Sequence, residues 1–270
     1  MSADVHSSHP TPYAEVNAVL QLLLSRVSAV LGSALVGIYL DGSLAWGDFD
    51  PESSDVDFLI VTDGELSSEP FEALKAMHTE IAASGLKWAK KLEGVYIPKA
   101  ALRRYDPAHA RHPTLNLVGD GWEFGIDAFD SDWTIHLHIL RERGIVLCGP
   151  RPQTLIDPVT TDELRQATVG SLFNWWAQQL EHPERLLGLR EYQDYAVLTM
   201  CRILYTVEHG EVASKPVAAA WAQEALGLPW APLIACALRF RGRARQQNDL
   251  AAVLRFIRHT MERCHKEGAK

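Results

Sequence analysis

Two aspartates, Asp55 and Asp57, stand immediately ahead of an apolar run in the segment "DVDFLIVTD". Residues two apart on a strand point to the same face, so the two carboxylates are expected side by side. Such a pair repels itself unless a positive group lies between, and its oxygens suit a hard cation such as Mg²⁺. The spacing therefore predicts a metal site, although an isolated Asp-x-Asp also occurs as a turn and cap pair.

A Gly-Ser step, Gly42 and Ser43, follows an earlier apolar run in "GIYLDGS". Such a step after a strand exposes backbone N–H groups and adds a hydroxyl, which together can hold phosphate oxygens. Glu93, in "KLEGVYIP", would bring a third carboxylate from another predicted strand. Metal-held phosphates beside a carboxylate that can deprotonate a hydroxyl are the apparatus of phosphoryl or nucleotidyl transfer.

The composition is that of an ordinary globular protein, with 270 residues, 47% of them apolar and 22% charged. The four cysteines lie far apart without Cys-x-x-Cys spacing, which predicts a reducing, cytoplasmic location. The first residues lack the basic and apolar regions of a secretory signal. No run of about 18 uninterrupted apolar residues occurs, so we expect no membrane span.

The net charge of −8 is unevenly distributed along the chain. Residues 1–150 hold 21 acids and 11 bases, a net charge of −10, whereas residues 151–270 hold 13 acids and 15 bases, a net charge of +2. This balance argues against broad nucleic-acid binding. An acidic half suits a cationic ligand, and the alternative is scattered, solvated surface charge.

The periodicity of apolar residues divides the chain near residue 150. Residues 1–150 read as a helix, two strands around a turn, a helix and a third strand, with "GWEFGIDAFDSD" as a further edge strand. The segment "DWTIHLHILRER" favours a helix, and residues 151–270 read as helices throughout. We predict an α+β protein, with a mixed sheet and flanking helices over residues 1–150 and an all-α helical bundle over residues 151–270.

The motifs resemble those of a known superfamily. Gly42, Ser43, Asp55 and Asp57 match the Gly-Ser and Asp-x-Asp signature of the nucleotidyltransferases that include DNA polymerase β. More closely, the chain resembles the streptomycin/spectinomycin adenylyltransferases among the aminoglycoside-modifying enzymes. The segments "LCGPRPQTLIDPV" and "VLTMCRILYTVEHGEVASKPVAAAWAQEAL" are similar to that family's C-terminal domain, so the likeness covers nearly the whole chain.

The resemblance implies a role for each matching position. Asp55 and Asp57 match the family's metal-binding aspartates. Glu93 stands where the family has its catalytic glutamate, the base for the acceptor hydroxyl, which is also expected beside the metal. The nucleotide contacts implied by the matching positions are Gly42, Ser43, Ser54, Asp132, Arg202 and Lys215.

The two basic residues of this set are unusual on physical grounds as well. Arg202 lies in the apolar run "VLTMCRILYTV", where an unpaired charge would be costly. Lys215 precedes a proline at a predicted helix start, where the helix dipole disfavours a cation. A bound anion would explain both residues, whereas a salt bridge to Glu208 is the alternative for Arg202.

The sequence departs from the family where acids contact the drug. In "LLGLREYQDYAVLT", Tyr192 and Gly188 stand at two such acidic positions. Glu191 and Asp194 are nearby acids that can supply negative charge. Trp122, in "GDGWEFG", is placed across an alignment gap at a tryptophan on which the family packs streptomycin. These four side chains, Trp122, Glu191, Tyr192 and Asp194, are the predicted acceptor contacts.

The predicted activity is Mg²⁺-dependent transfer of AMP from ATP to a hydroxyl of an aminoglycoside or aminocyclitol antibiotic, with release of pyrophosphate. The predicted partner is a small cationic acceptor rather than nucleic acid or membrane, and a monomer is favoured. Two alternatives stay open. One is the same chemistry on a protein, RNA or nucleotide acceptor, and the other is a non-catalytic, antitoxin-like binding module, which would not need three converging carboxylates.

Overall fold

The computed structural model describes residues 9–118, 121–184, 187, 190–239 and 250–268. Its residues group into two compact units. The first contains residues up to 49, 55–129 and 136–158. The second contains residues 50–54, 130–135 and the chain from residue 159 onwards.

A six-stranded mixed sheet forms the centre of the first unit. In sheet order the strands run β5-β4-β3-β2-β1-β6. The pair β2–β3 is parallel, and the other four pairs are antiparallel. The strands are β1 Leu35–Leu40, β2 Val56–Thr62, β3 Leu92–Pro98, β4 Arg111–Val118, β5 Gly121–Ala128 and β6 Ile145–Cys148.

Helices flank this sheet. The two long ones, α1 and α3, lie beside each other, and α1 buries an apolar stripe at helical spacing that includes Val16, Leu20 and Leu23. α1 is long and apolar enough to span a membrane by length and composition, but this stripe lies in the core beneath the sheet. The helices are α1 Ala14–Leu31, α2 Gly42–Trp46, α3 Ser68–Ala82, α4 Lys99–Leu102, α5 Trp133–Arg143 and α6 Pro152–Leu155.

The second unit is helical in all of its regular elements that the structure describes. Its core includes Leu172, Val197, Cys201 and Phe256. Its elements are α7 Thr161–Ser171, a π-helical turn Leu172–Trp176, α8 Ala177–Glu181, α9 Arg190–His209, α10 Lys215–Leu226, α11 Trp230–Arg239 and α12 Leu250–Gly268.

The predicted α+β class is confirmed, as are the edge strand β5 and the helix α5. Two strands, β4 and β6, are not predicted by the sequence pattern: β4 contains Pro113 and mixed polar residues, and β6 has only four residues. The helix predicted to run through "DELRQATVGSLFNWWAQQL" is interrupted by the π-helical turn. Within this turn Trp176 is buried while Trp175 is 37% exposed.

Candidate active site

The Gly-Ser turn lies directly against Asp57. Strand β1 ends at Leu40, and the short helix α2 begins at Gly42, whose φ of +58° favours glycine. A Cβ at this position would overlap the carboxylate Oδ2 of Asp57 and would lie 3.0 Å from its Cβ. Glycine therefore serves two purposes here: it permits the left-handed backbone, and it leaves room for the Asp57 carboxylate.

Asp57 and Glu93 are direct neighbours in the sheet. They occupy matching register positions on the parallel strands β2 and β3, so their side chains project from the same face. Both side chains are half-buried. Phe58, on the opposite face, belongs to the core beneath α1 and α3. The predicted convergence of these two carboxylates is thus built into the strand register.

The same face continues as an apolar surface below the two carboxylates. Leu59 and Val95 follow Asp57 and Glu93 by two residues, and both are buried. On β1, Tyr39 pairs with Leu59 and donates its hydroxyl to the carbonyl oxygen of Pro150 at 2.8 Å. Burial raises the pKa of Tyr39, and the neighbouring Cys148 raises it further, so the phenol stays neutral. The packing of Leu59 and Val95 and the Tyr39 hydrogen bond therefore fix the strands that carry Asp57 and Glu93.

Asp55 precedes β2 and forms an ion pair with Lys91, which precedes β3. The distance from Lys91 Nζ to Asp55 Oδ1 is 3.1 Å. The Val56 N–H also donates to the Lys91 carbonyl oxygen at 2.8 Å, which extends the β2–β3 ladder to this level. Sequence reasoning missed Lys91. The sequence spacing could have revealed it: Lys91 and Glu93 are two residues apart at the start of β3, as Asp55 and Asp57 are at the start of β2.

Asp41 is a further acid that sequence reasoning missed, although it directly precedes the Gly-Ser step. Its N–H donates to the Asp57 carbonyl oxygen at 3.1 Å, so Asp41 lies opposite Asp57 across the β1–β2 pair. Its Oδ2 is 3.8 Å from Nδ1 of His136 on α5. Its Oδ1 is buried without a hydrogen-bond partner among the described residues. Asp41 adds negative charge beside the carboxylate pair.

The donor set fits Mg²⁺ bound together with a nucleotide. Among the described residues, no three His, Cys, Asp or Glu side chains are grouped closely enough to hold a metal ion by themselves. Mg²⁺, however, is usually held by one or two carboxylates plus substrate phosphates and water. Asp57 lies beside the Gly-Ser turn and Asp55 lies two residues earlier, just before β2, so the two supply carboxylates of the required kind.

The second unit brings the two predicted phosphate-binding bases close to each other. Arg202 on α9 donates from Nε to the carbonyl oxygen of Ala213 at 3.0 Å. Ala213 lies two residues before Lys215, the first residue of α10. The Lys215 Nζ lies 5.1 Å from the ring centre of Tyr195. Glu208, the alternative partner considered for Arg202, is 3.8 Å from Arg263.

Two other predicted nucleotide contacts occupy turns. Ser54 is buried, and its hydroxyl accepts a hydrogen bond from the Asp50 N–H at 2.9 Å, which closes the turn before β2. Asp132 lies at the start of α5, where its carbonyl oxygen accepts from the Ile135 N–H at 2.8 Å. The contact of these two residues with nucleotide stays a prediction.

The predicted acceptor contacts belong to both units. Trp122 on β5 packs against the core with His78, at a ring distance of 6.4 Å, on the sheet face opposite Asp57 and Glu93. The structure therefore does not bring Trp122 to the carboxylates. On α9, Asp194 is buried and Tyr192 is half-buried. The side chain of Glu191 lies outside the described residues.

Comparison with known proteins agrees with this geometry. The family profile "Nucleotidyltransferase domain" matches residues 21–106, which include the Gly-Ser turn and all three carboxylates. The profile "Aminoglycoside adenylyltransferase, C-terminal domain" matches residues 154–263, which include Arg202 and Lys215.

Individual proteins resemble the chain over most of its length. It is 29% identical over 230 residues to the aminoglycoside (3'') (9) adenylyltransferase of Shigella flexneri, covering 82% of this chain and 83% of the relative. It is 28% identical over 205 residues to the spectinomycin 9-adenylyltransferase of Staphylococcus aureus, an alignment that covers 74% of this chain and 75% of the relative. The spectinomycin adenyltransferase AAD(9) from Enterococcus faecialis, solved with ATP and spectinomycin, shares the fold. That comparison has a TM-score of 0.70 at 17% identity, over 91% of this chain and 98% of the other.

The mixed sheet, the Gly-Ser turn and the carboxylates on neighbouring strands define a nucleotidyltransferase. Within that class, the C-terminal profile describes aminoglycoside adenylyltransferases, and the named relatives are all aminoglycoside or spectinomycin adenylyltransferases. Together, the two profiles and the relatives support the aminoglycoside nucleotidyltransferase family, which the motifs also predict.

Proposed function

We propose that this protein transfers AMP from ATP to a hydroxyl group of an aminoglycoside or aminocyclitol antibiotic and releases pyrophosphate. The single observation that carries the chemistry is the register of Asp57 and Glu93, with Asp57 held against the Gly-Ser turn. The names of the relatives support the choice of acceptor. Antibiotic resistance is the corresponding physiological role.

Glu93 is the proposed general base. Its carboxylate accepts the proton of the acceptor hydroxyl, and the oxygen then attacks the α-phosphorus of ATP in line with departing pyrophosphate. Asp57, its neighbour in register, is the proposed cation-binding carboxylate. Because the two carboxylates are adjacent, they can attract a cation together.

Asp55 and Asp57 are the proposed metal ligands, with Glu93 beside them. A bound Mg²⁺ would neutralise the charge that develops on the phosphates. Gly42 and Ser43 would offer a backbone N–H and a hydroxyl to phosphate oxygens. In the second unit, Arg202 and Lys215 are the proposed triphosphate ligands, and the Arg202–Ala213 hydrogen bond would pre-orient the guanidinium.

The acidic first half of the chain suits a polycationic acceptor. Residues 1–150 carry a net charge of −10, and Asp41 lies beside the carboxylate pair. We further propose a cytoplasmic location and action as a monomer. The structure contains no disulfide among its described residues, which include all four cysteines, and this supports a reducing compartment.

The test is pyrophosphate release from Mg-ATP by the purified protein with streptomycin, spectinomycin or kanamycin. Release with at least one drug is expected, and Asp57→Asn should abolish it. The matched control is Asp63→Asn, which removes the same charge just beyond the other end of β2. Tight Mg-ATP binding without release would move the search to a protein, RNA or nucleotide acceptor. Absence of Mg-ATP binding would contradict the proposed function.

A further inference from the structure

Four charged residues stand at the entrance to strands β2 and β3. Asp55 and Asp57 belong to the β2 side, and Lys91 and Glu93 to the β3 side. We call these residues the charge quartet. Its net charge is −2, because three acids face one base.

Lys91 is held within the quartet by its backbone and its side chain. Its carbonyl oxygen accepts from the Val56 N–H at 2.8 Å, which places Lys91 beside Asp55. Its ammonium group then reaches Asp55 Oδ1 at 3.1 Å. Because Lys91 and Glu93 are only two residues apart, the lysine and the proposed general base lie at the same end of β3.

The Lys91–Asp55 pair is too exposed to be important for folding. The side chains are 53% and 33% exposed, and pairs of this kind change an equilibrium by at most about fivefold. A contact this weak is readily exchanged. A divalent cation competes with the Lys91 ammonium for Asp55, and a triphosphate offers the ammonium a new anionic partner.

We infer that Lys91 is a positioning residue that acts as a resident counter-ion of Asp55. It holds the Asp55 carboxylate in place, disfavours a metal ion entering without nucleotide, and transfers to the triphosphate when metal and nucleotide enter together. The inference rests on the metal-binding role of Asp55 in the proposed function. Metal and nucleotide binding are then coupled through Lys91, and the coupling is reciprocal.

The test is a titration of the full-length protein with Mn²⁺ alone, followed by the electron paramagnetic resonance signal of free Mn²⁺. Lys91→Met should bind Mn²⁺ about fivefold more tightly than the wild type, and the difference should shrink at high salt. Lys90→Met is the matched control. It removes the same charge from the neighbouring exposed residue and should leave Mn²⁺ affinity near the wild-type value. Lys91→Arg keeps the counter-ion and should behave as the wild type.

A second titration includes a non-hydrolysable ATP analogue. In the wild type the analogue should raise Mn²⁺ affinity more than it does in Lys91→Met. The lysine ammonium can move from Asp55 to the phosphates, and the methionine side chain cannot. Equal Mn²⁺ affinities for Lys91→Met and Lys90→Met would overturn the inference, and so would weaker binding by Lys91→Met.

Asp55→Asn separates the inference from the proposed function. If Asp55→Asn weakens Mn²⁺ binding while Lys91→Met leaves it unchanged, the metal site stands and the counter-ion role is wrong. If Asp55→Asn has no effect on Mn²⁺ binding, the proposed metal role of Asp55 fails and the inference fails with it. In the double variant Asp55→Asn/Lys91→Met, the lysine substitution should have no further effect.

Discussion

The backbone of Gly42 and the carboxylate of Asp57 occupy adjoining space, and a side chain on residue 42 would collide with that carboxylate. Gly42 also has a φ of +58°. The Gly-Ser turn, which would hold phosphate, thus leaves the space that the Asp57 carboxylate needs, and Asp57 would hold the metal. This relationship explains why position 42 of the Gly-Ser step is a glycine.

Gly42→Ala should abolish turnover while leaving the protein folded. The substitution adds backbone strain of about 1 to 2 kcal/mol and also displaces the Asp57 carboxylate. Gly47→Ala is the matched control, since Gly47 has a φ of +73° but open space around its Cβ position. Urea unfolding and pyrophosphate release should show similar stability losses for both variants and lost activity for Gly42→Ala alone. Equal activity in the two variants would contradict the steric argument.

Glu93→Gln should lower turnover by about a hundredfold to ten-thousandfold, the usual contribution of a general base. The amide is close in size to the carboxylate but cannot accept the proton. Binding of Mg-ATP, measured by calorimetry, should change much less than turnover does. Glu123→Gln, an exposed position on edge strand β5, is the control. Unchanged turnover in Glu93→Gln would remove Glu93 from the role of base.

Arg202→Gln should raise the KM for ATP by about tenfold to a hundredfold, because a hydrogen bond to a charged group is lost. Arg165→Gln is a matched control in the same unit. Arg165 donates its Nε to the carbonyl oxygen of Val207 at 3.0 Å, as Arg202 does to Ala213. If both variants raise KM equally, the effect comes from helix packing rather than from phosphate binding.

His78 should make the protein less stable in mild acid. It is buried, contacts the Tyr96 hydroxyl at 2.7 Å, and burial lowers its pKa to about 3. The unfolded chain, with a histidine pKa of about 6.5, therefore binds more protons between these values. Stability is then lost as the pH falls below about 6.5.

Between pH 7 and pH 5 this histidine should account for a loss of about 2 kcal/mol in the free energy of unfolding. Denaturant unfolding at the two pH values measures it. The double variant His78→Phe/Tyr96→Phe removes the titrating group without leaving a lone buried hydroxyl, and it should lose about 2 kcal/mol less. His109→Gln, at an exposed position, should follow the wild type. Parallel losses in all three proteins would exclude His78 as the source.

Strong periodicity made most of the fold predictable. α1 buries one stripe of regularly spaced residues, and β2 and β3 become apolar after Asp57 and Glu93, so both types of element follow from local pattern. β4, by contrast, gains its stability from pairing with two neighbours, and its Pro113 weakens the local signal. The π-helical turn at Leu172–Trp176 likewise depends on how tertiary packing accommodates consecutive large side chains.

The sequence by itself determined which chemical groups are present and which strand ends carry them: Gly42 and Ser43 after one apolar run, Asp55 and Asp57 before the next, and Glu93 on a third. Tertiary structure alone decided how they meet. The parallel register that sets Glu93 beside Asp57, and the ion pair that links Lys91 to Asp55, arise from packing between segments far apart in the chain. The hydrogen bond from Arg202 to Ala213 spans 11 residues, and it too depends on how α9 packs against the segment before α10 rather than on the sequence pattern.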